Sequence, residues 1–542
     1  MTRRPSPDAR SVSLLDRRAL MKLGLAAQAA LALGGTARAQ GTDRLRFGPP
    51  EAFSYDTLKA FAKDLASKPY KEPARPNPEI VKRIDYDAHG KLKFKPDHAL
   101  YGESAGAYPI TFMHVGQFFQ KTVRMHAVAD GQSREILYDP GLFDMPADSV
   151  ARGLGPEPSA FAGFWVREAK DQVTEKGDWK TREPFATFLG ASYFRAIGEK
   201  GQVGMSARGV ALFPEPGAAE EFPDFVSFWF EPAKADGEPV TVYALLDGPS
   251  LSGAFRFLIR RTGGTLMEIE AAVTMRKDIV RLGLAPLTSM YWYSETAKPF
   301  LIDWRPEVHD SDGLAMWTGA GERIWRPLNN PPSIMTSTFA DERPRGFGLL
   351  QRDRNYANYE DGVRYQDRPS TWVEPVGDWG KGAVQLVELP TDDEIHDNIV
   401  AYWLPAAPSK AGSTVSLAYK LYWQDAEPFP GALGRCVATR LGRGGQPGLP
   451  RPKGVRKFMV EFLGGPLENI PYGQTVEPVL WSSRGTFSYV FAEAVPSDVK
   501  GHWRAQFDLT AEGLDPIEMR CYLKVGDEVL TETWLYQLHP TP

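Results

Sequence analysis

Cysteine is almost missing from this chain: its 542 residues hold only Cys436 and Cys521. One disulfide is the most they could form, so the fold must rest on buried apolar surface and not on covalent stapling. An excess of either charge is also lacking. With 63 Lys and Arg against 68 Asp and Glu, and no basic run beyond the N-terminal leader, a nucleic-acid partner is not expected. The eight His are scattered without HxH or HxxxH spacing, which argues against a structural or catalytic zinc site. The DSDG sequence at 310–313 lacks the ligand spacing and closing Glu of a calcium loop. Neither a glycine-rich phosphate loop between strand and helix nor a G-x-S-x-G nucleophile elbow occurs. No metal and no cofactor are therefore expected. Beyond residue 35 no apolar run approaches the roughly 20 residues that a membrane-spanning helix needs.

What the chain does have begins with a leader. Residues 16–22 read DRRALMK, followed by the apolar run LGLAAQAALALGG and then Ala37-Arg38-Ala39. A charged segment, a short apolar segment and an A-x-A site make an export signal over 1–39. The Arg17-Arg18 pair points to the twin-arginine route and so to the periplasm.

The remainder is too long for one ordinary core, so two domains are expected. Short segments alternate apolar and polar residues and end in Gly or Pro: VSFWFEP (226–232), PVTVYALLD (239–247), FRFLIRR (255–261), LMEIEAAVTM (266–275) and STVSLAYKLYW (413–423). Period-two patterning of this kind predicts strands. Gly263-Gly264 between two of them predicts a hairpin. A helix is predicted mainly over 53–67. Strands are predicted again near 457–465, 475–483, 487–495, 502–510 and 518–526. Gly-, Pro- and Arg-rich sequence precedes them and reads as a connection. The expected organisation is all-β: a large sandwich domain over 42–424, a linker over 425–453 and a small immunoglobulin-like sandwich over 454–542.

Seven of the 14 Trp fall between Trp292 and Trp403, beside the acidic loops RPEVHDSDG (305–313), RPSTWVEP (368–375) and TDDEIHDNIVAYW (391–403). Aromatic faces beside carboxylates suit a sugar chain, whose rings offer apolar C–H faces, and two carboxyl groups can act as acid and base. The same pattern also fits core tryptophans and solvated turns. Asp310, Asp312, Glu374, Asp392, Asp393, Glu394 and Asp397 are the acids available, with Arg305, Arg326, Arg352, Arg354 and Arg368 as candidate counter-charges.

Long blocks of this sequence resemble a known family. FLGASYFRA (188–196), EEFPDFVSFWF (220–230), LGLAPLTSMYWY (282–293), RPEVHDSDGLAMW (305–317), GFGLLQRDRNYANYED (346–361), RPSTWVEP (368–375) and DNIVAYW (397–403) are similar to the periplasmic glucan biosynthesis proteins of the G and D type. The twin-arginine leader favours the D type. The resemblance implies a large galactose-mutarotase-like sandwich followed by an immunoglobulin-like domain. It implies a role in shaping osmoregulated periplasmic glucans, with β-1,2-glucan as the partner molecule. The activity implied is inverting β-1,2-glucan cleavage, or transfer of the cleaved end, including ring closure. The alternative is a non-catalytic glucan-binding scaffold that assists the inner-membrane glucan synthase. By the same resemblance Asp397 is the acid and Asp310 the base side, with Tyr365 and Glu394 in the same site. Trp372, Trp325, Arg326, Arg368 and Trp292 are expected to bind substrate.

Overall fold

The computed structural model describes residues 45–540, apart from 104–105, 173, 176, 214, 216, 218, 236 and 298–302. The expected leader over 1–39 lies outside the described residues. Among them the fold is almost all strand, as the alternation predicts. Strands Asp224–Glu231, Val240–Asp247, Leu251–Thr262 and Gly264–Met275 run antiparallel side by side, and Thr414–Gln424 pairs next to the last of them. Thr262 faces Gly264 across the predicted hairpin, and the residue between them, Gly263, has φ +85°. A side chain at that left-handed position would be strained.

These strands belong to a 16-stranded sheet that packs face to face on a 10-stranded one. Phenylalanines fill the space between. Phe164 and Phe188 of the smaller sheet meet Phe228 and Phe257 of the larger, at ring-centroid distances of 4.8 Å and 5.2 Å. Strict alternation would send Phe225 and Phe228 to opposite faces. A register shift between Phe225 and Ser227 cancels that, so Phe225, Phe228 and Phe230 are all buried in one core. The predicted helix is present as Tyr55–Ala66, capped by Ser54 and burying Leu58, Ala62 and Ala66 at fourfold spacing.

The C-terminal strands are less separate than the sequence suggests. Thr533–Leu538 runs parallel to Arg323–Pro327, pairing Thr533 with Ile324 and Trp534 with Trp325. Through that contact Ile517–Val525 and Glu477–Ser482 extend the 16-stranded sheet. A four-stranded sheet of Arg435–Arg443, Val455–Leu463, His502–Thr510 and Thr486–Ala494 covers them. Arg435–Arg443 lies inside the stretch expected to be a linker. Its alternation is broken by a register shift between Cys436 and Ala438, so it reads as irregular in sequence. Cys436 and Cys521 are both buried free thiols.

The second core joins both halves: Trp325, Trp372 and Leu350 pack with Phe458, Phe507, Trp534 and Tyr536. Trp372 is 1% exposed, and its indole lies so close to Gly346 that a Cβ there would come within 2.5 Å of the ring. Trp372→Ala is expected to cost about 3–5 kcal/mol of stability by leaving that space empty. Denaturant unfolding checks this, and a loss under about 1 kcal/mol would contradict the packing described.

Candidate functional site

One turn of backbone organises the candidate acids. Strand Arg281–Ser289 ends at Ser289, which pairs with Ile399 at the start of strand Ile399–Pro405. The next residue, Met290, accepts the backbone N–H of Asp310 at 2.8 Å. Tyr291 donates its N–H to Asn398 Oδ1 at 2.8 Å, and Asn398 Nδ2 returns a bond to the Tyr291 carbonyl at 2.8 Å. Across the same turn Ser289 Oγ and Ser311 Oγ lie 2.7 Å apart. Asp310 and Asp397, 87 positions apart in sequence, are thus each one residue from a group tied to the Ser289–Tyr291 turn. Asp310 is wholly buried, whereas Asp397 is partly exposed.

Asp310, Tyr365 and Glu394 form one connected wall. Arg368, itself buried, forms an ion pair with Asp310, and its guanidinium lies 4.4 Å from the Tyr365 ring centroid. The Tyr365 hydroxyl donates to Glu394 Oε2 at 3.1 Å. Glu394 also accepts from Arg305, which reaches Asp361 at 3.0 Å and Asp303 at 3.1 Å. Burial works against the Arg305 charge, but bonds to Asp303, Asp361 and Glu394 outweigh it and hold its proton affinity well above the ordinary value. Trp292 and Trp304 lie 5.7 Å and 5.6 Å from the same guanidinium. Trp304 keeps 68% of its surface exposed.

Asp397 has different company. The sequence places Asp393 and Glu394 near it as like charges able to keep it protonated. In the structure Glu394 is engaged by Arg305 and Tyr365, and Asp393 Oδ1 accepts the Glu394 backbone N–H at 2.6 Å. The charge of Asp397 is instead felt by Arg208 and Tyr193. Burial disfavours the Arg208 cation, but Tyr193, Glu220 and Asp397 together raise its proton affinity. Arg208 Nη1 donates to Glu220 at 2.6 Å. No spacing in the sequence announces Arg208, since it approaches the site through the pairing of Ser206–Arg208 with Arg281–Ser289. A cavity of about 500 Å³ lies on the side of Tyr193 and His396, lined also by Phe118 and Lys121, and none of Asp310, Tyr365, Glu394 and Asp397 lines it. That falls within the roughly 300–1,000 Å³ common for ligand pockets.

The expected binding residues divide. Arg368 lies against Asp310 and Tyr365, and Trp292 lies beside Arg305. Trp325 and Trp372 are 4% and 1% exposed and sit in the second core, with no free ring face for a sugar. Arg326 is 1% exposed and pairs at 3.0 Å with Glu388, which is 0% exposed. An aromatic or cationic residue near an acidic loop in sequence can still point inward, and in these strands three of them do. Among the described residues no group of three or more His, Cys, Asp and Glu side chains is arranged to hold a metal ion.

The sequence of the periplasmic glucan biosynthesis protein MdoG family matches residues 53–538. The chain belongs to that family. It is 58% identical to glucans biosynthesis protein D 2 of Ralstonia nicotianae, an alignment covering 97% of this chain and 98% of that one. To glucans biosynthesis protein D of Xanthomonas oryzae pv. oryzae it is 44% identical, again over 97% and 98%. The Asp310, Tyr365, Glu394 and Asp397 constellation lies within the matched span of this periplasmic glucan biosynthesis family member. No described helix is long and apolar enough to cross a membrane.

Proposed function

We propose that this protein sets the backbone structure of osmoregulated periplasmic glucans by inverting cleavage or transglycosylation of β-1,2-glucan, after export to the periplasm by the twin-arginine route. One observation carries the reading: Asp310 and Asp397 reach the Ser289–Tyr291 turn from separate loops and differ in environment. Inverting hydrolysis needs two carboxyl groups in unlike roles. Asp310, buried against Arg368, suits a group that remains an anion. Asp397, open in part to solvent, suits the group that meets the glycosidic oxygen.

In this mechanism Asp397 gives its proton to the leaving oxygen as the C1–O bond breaks. A water attacks C1 from the opposite face, and its proton passes to the Asp310 side. Because Asp310 has no exposed surface, that proton travels through an intervening hydroxyl or water. When a glucan hydroxyl takes the place of water the product is a new linkage, and an intramolecular attack closes a ring. Trp292 and Trp304, both near the anchored Arg305, offer aromatic surface to glucosyl units. In keeping with the family resemblance, we assign the catalytic role to a galactose-mutarotase-like sandwich over 42–424 and an accessory role to an immunoglobulin-like domain over 454–542.

Incubating purified protein with linear β-1,2-glucan and separating the products by size tests the proposal, with shorter or cyclic glucans expected. No product at high protein concentration would favour the second reading, a glucan-binding scaffold for the membrane synthase. Trp481, Tyr489 and Phe491, 56%, 51% and 40% exposed on the C-terminal strands, supply a surface for that role. A finer expectation concerns Trp304. Trp304→Ala is expected to raise KM for long glucan about 3- to 10-fold with kcat little changed, since an exposed aromatic contact contributes about 0.5–1.5 kcal/mol. Unchanged KM would remove Trp304 from the binding surface.

A further inference from the structure

Beneath the acid-bearing wall lies a buried charge cluster that the cleavage chemistry does not itself use. His309, immediately before Asp310, is 0% exposed. Its Nε2 lies 3.0 Å from Glu307 Oε2, and its Nδ1 lies 3.0 Å from Gln351 Oε1 and 3.2 Å from Asp312 Oδ1. Tyr291 stacks on the imidazole at 5.7 Å and Tyr359 meets it edge-on at 5.2 Å. Gln351 Nε2 closes the loop by donating to the carbonyls of His309 and Tyr365 at 3.1 Å and 3.0 Å. One amide thereby ties together the backbone beside Asp310 and the backbone of Tyr365.

The cluster continues toward the C-terminal strands. Asp312 Oδ2 accepts the backbone N–H groups of Arg352 and Asp353. Arg352 packs 3.8 Å from the Trp325 ring centroid, pairs with Glu532 and donates to the Cys436 carbonyl at 3.1 Å. Glu532 accepts the Cys436 N–H at 2.7 Å. A second tie runs from Glu295, whose carboxylate accepts the Thr439 N–H at 2.8 Å.

We propose that His309, as an imidazolium held between Glu307 and Asp312, is a positioning residue that fixes the backbone carrying Asp310 and couples it, through Asp312, Arg352 and Glu532, to the C-terminal strands. This rests on the reading of Asp310 as a catalytic group. The neutral alternative fits the geometry poorly, because both ring nitrogens face carboxylate oxygens and a neutral ring has only one N–H. Burial alone would push His309 toward the neutral form, yet the bond to Glu307 and the charges of Asp312, Glu307 and Asp353 raise its pKa to about 9. Asp312 is moved up to about 6, chiefly by burial with a further push from Asp353 and Glu307, while His309 draws it down. Glu295 is raised to about 7 by burial and by Glu307. Arg354 is a further cation whose field reaches Asp312 and Tyr359. The charged His309–Asp312 pair is therefore complete between about pH 6 and about pH 9. The folded-state pKa of His309 is above its unfolded value near 6.5, so its contribution to stability is full below about 6.5 and fades as pH rises through about 9.

The test combines three measurements on the full-length protein. His309→Gln keeps a polar side chain without the charge. It is expected to lower kcat on linear β-1,2-glucan roughly 10- to 100-fold while KM stays within about twofold, as displacement of a catalytic group does. Wild-type activity is expected to fall as pH rises through about 9, and that fall should be absent in His309→Gln. In wild-type protein carrying 13Cε1-labelled histidine, the resonance that His309→Gln removes should titrate near 9. Amide hydrogen exchange across 307–312 and 351–353 should speed up in the variant. Wild-type kcat and an unchanged pH profile in His309→Gln would overturn the coupling. A ring titration near 6.5 or unaltered exchange would overturn it equally, and these two readouts stand even if the wild-type protein proves inactive on glucan, a result that would count against the proposed function alone.

Discussion

Asp397→Asn is expected to lower kcat on linear β-1,2-glucan about 10²- to 10⁴-fold, the range that a positioned general acid contributes. The amide matches the carboxyl in shape but supplies no acidic proton to the leaving oxygen. Folding should be little affected. Asp397 is partly exposed, and the loop is anchored through its neighbour, because Asn398 makes the bonds to Tyr291 and Leu389. Affinity for glucan, read by calorimetry, should therefore stay within a few-fold of wild type while turnover collapses. Loss of affinity in proportion to turnover would mean that Asp397 binds sugar and does not donate the proton. Full turnover would remove it from the mechanism.

Arg326→Met is expected to cost about 3–5 kcal/mol of stability, the usual penalty when one partner of a buried ion pair is removed. Glu388 is wholly buried. Burial raises its pKa, against the pull of Arg326 and of the Asn329 N–H that it accepts at 2.7 Å. Without Arg326 that carboxylate must take up a proton or remain a poorly compensated charge. Methionine nearly fills the volume, so the loss reports the charge and not a cavity. Adding Glu388→Gln should recover part of the loss, which a double-mutant cycle in denaturant measures. The same variant decides between two roles for Arg326. A structural residue predicts lower stability with unchanged KM in the folded protein, whereas the sugar-binding role expected from sequence predicts the reverse.

The strands were legible because their chemistry is local. Alternation in Val240–Asp247, Leu251–Thr262 and Gly264–Met275, with a glycine turn at Gly263, says which face is buried without reference to the rest of the chain. Where a register shift intervenes, as at Cys436–Ala438, the period breaks and the strand Arg435–Arg443 reads as linker. Asp397, Asp310, Tyr365 and Glu394 came from the family resemblance and not from spacing. What holds them was illegible, because Arg368 meets Asp310, Arg305 meets Glu394 and Arg352 meets Glu532 across long separations that only the folded sheets close. The tryptophans misled for a related reason. An indole beside an acidic loop looks the same in sequence whether it faces a ligand, as Trp304 can, or the interior, as Trp325 and Trp372 do.

The most direct measurement is the anomeric form of the first product, read by proton NMR within minutes of mixing the protein with linear β-1,2-glucan. Paired action of Asp397 and Asp310 through a single displacement predicts that new reducing ends appear first as the α-anomer and then mutarotate. New reducing ends that appear first as the β-anomer would contradict it, and so would the absence of any new reducing end or ring.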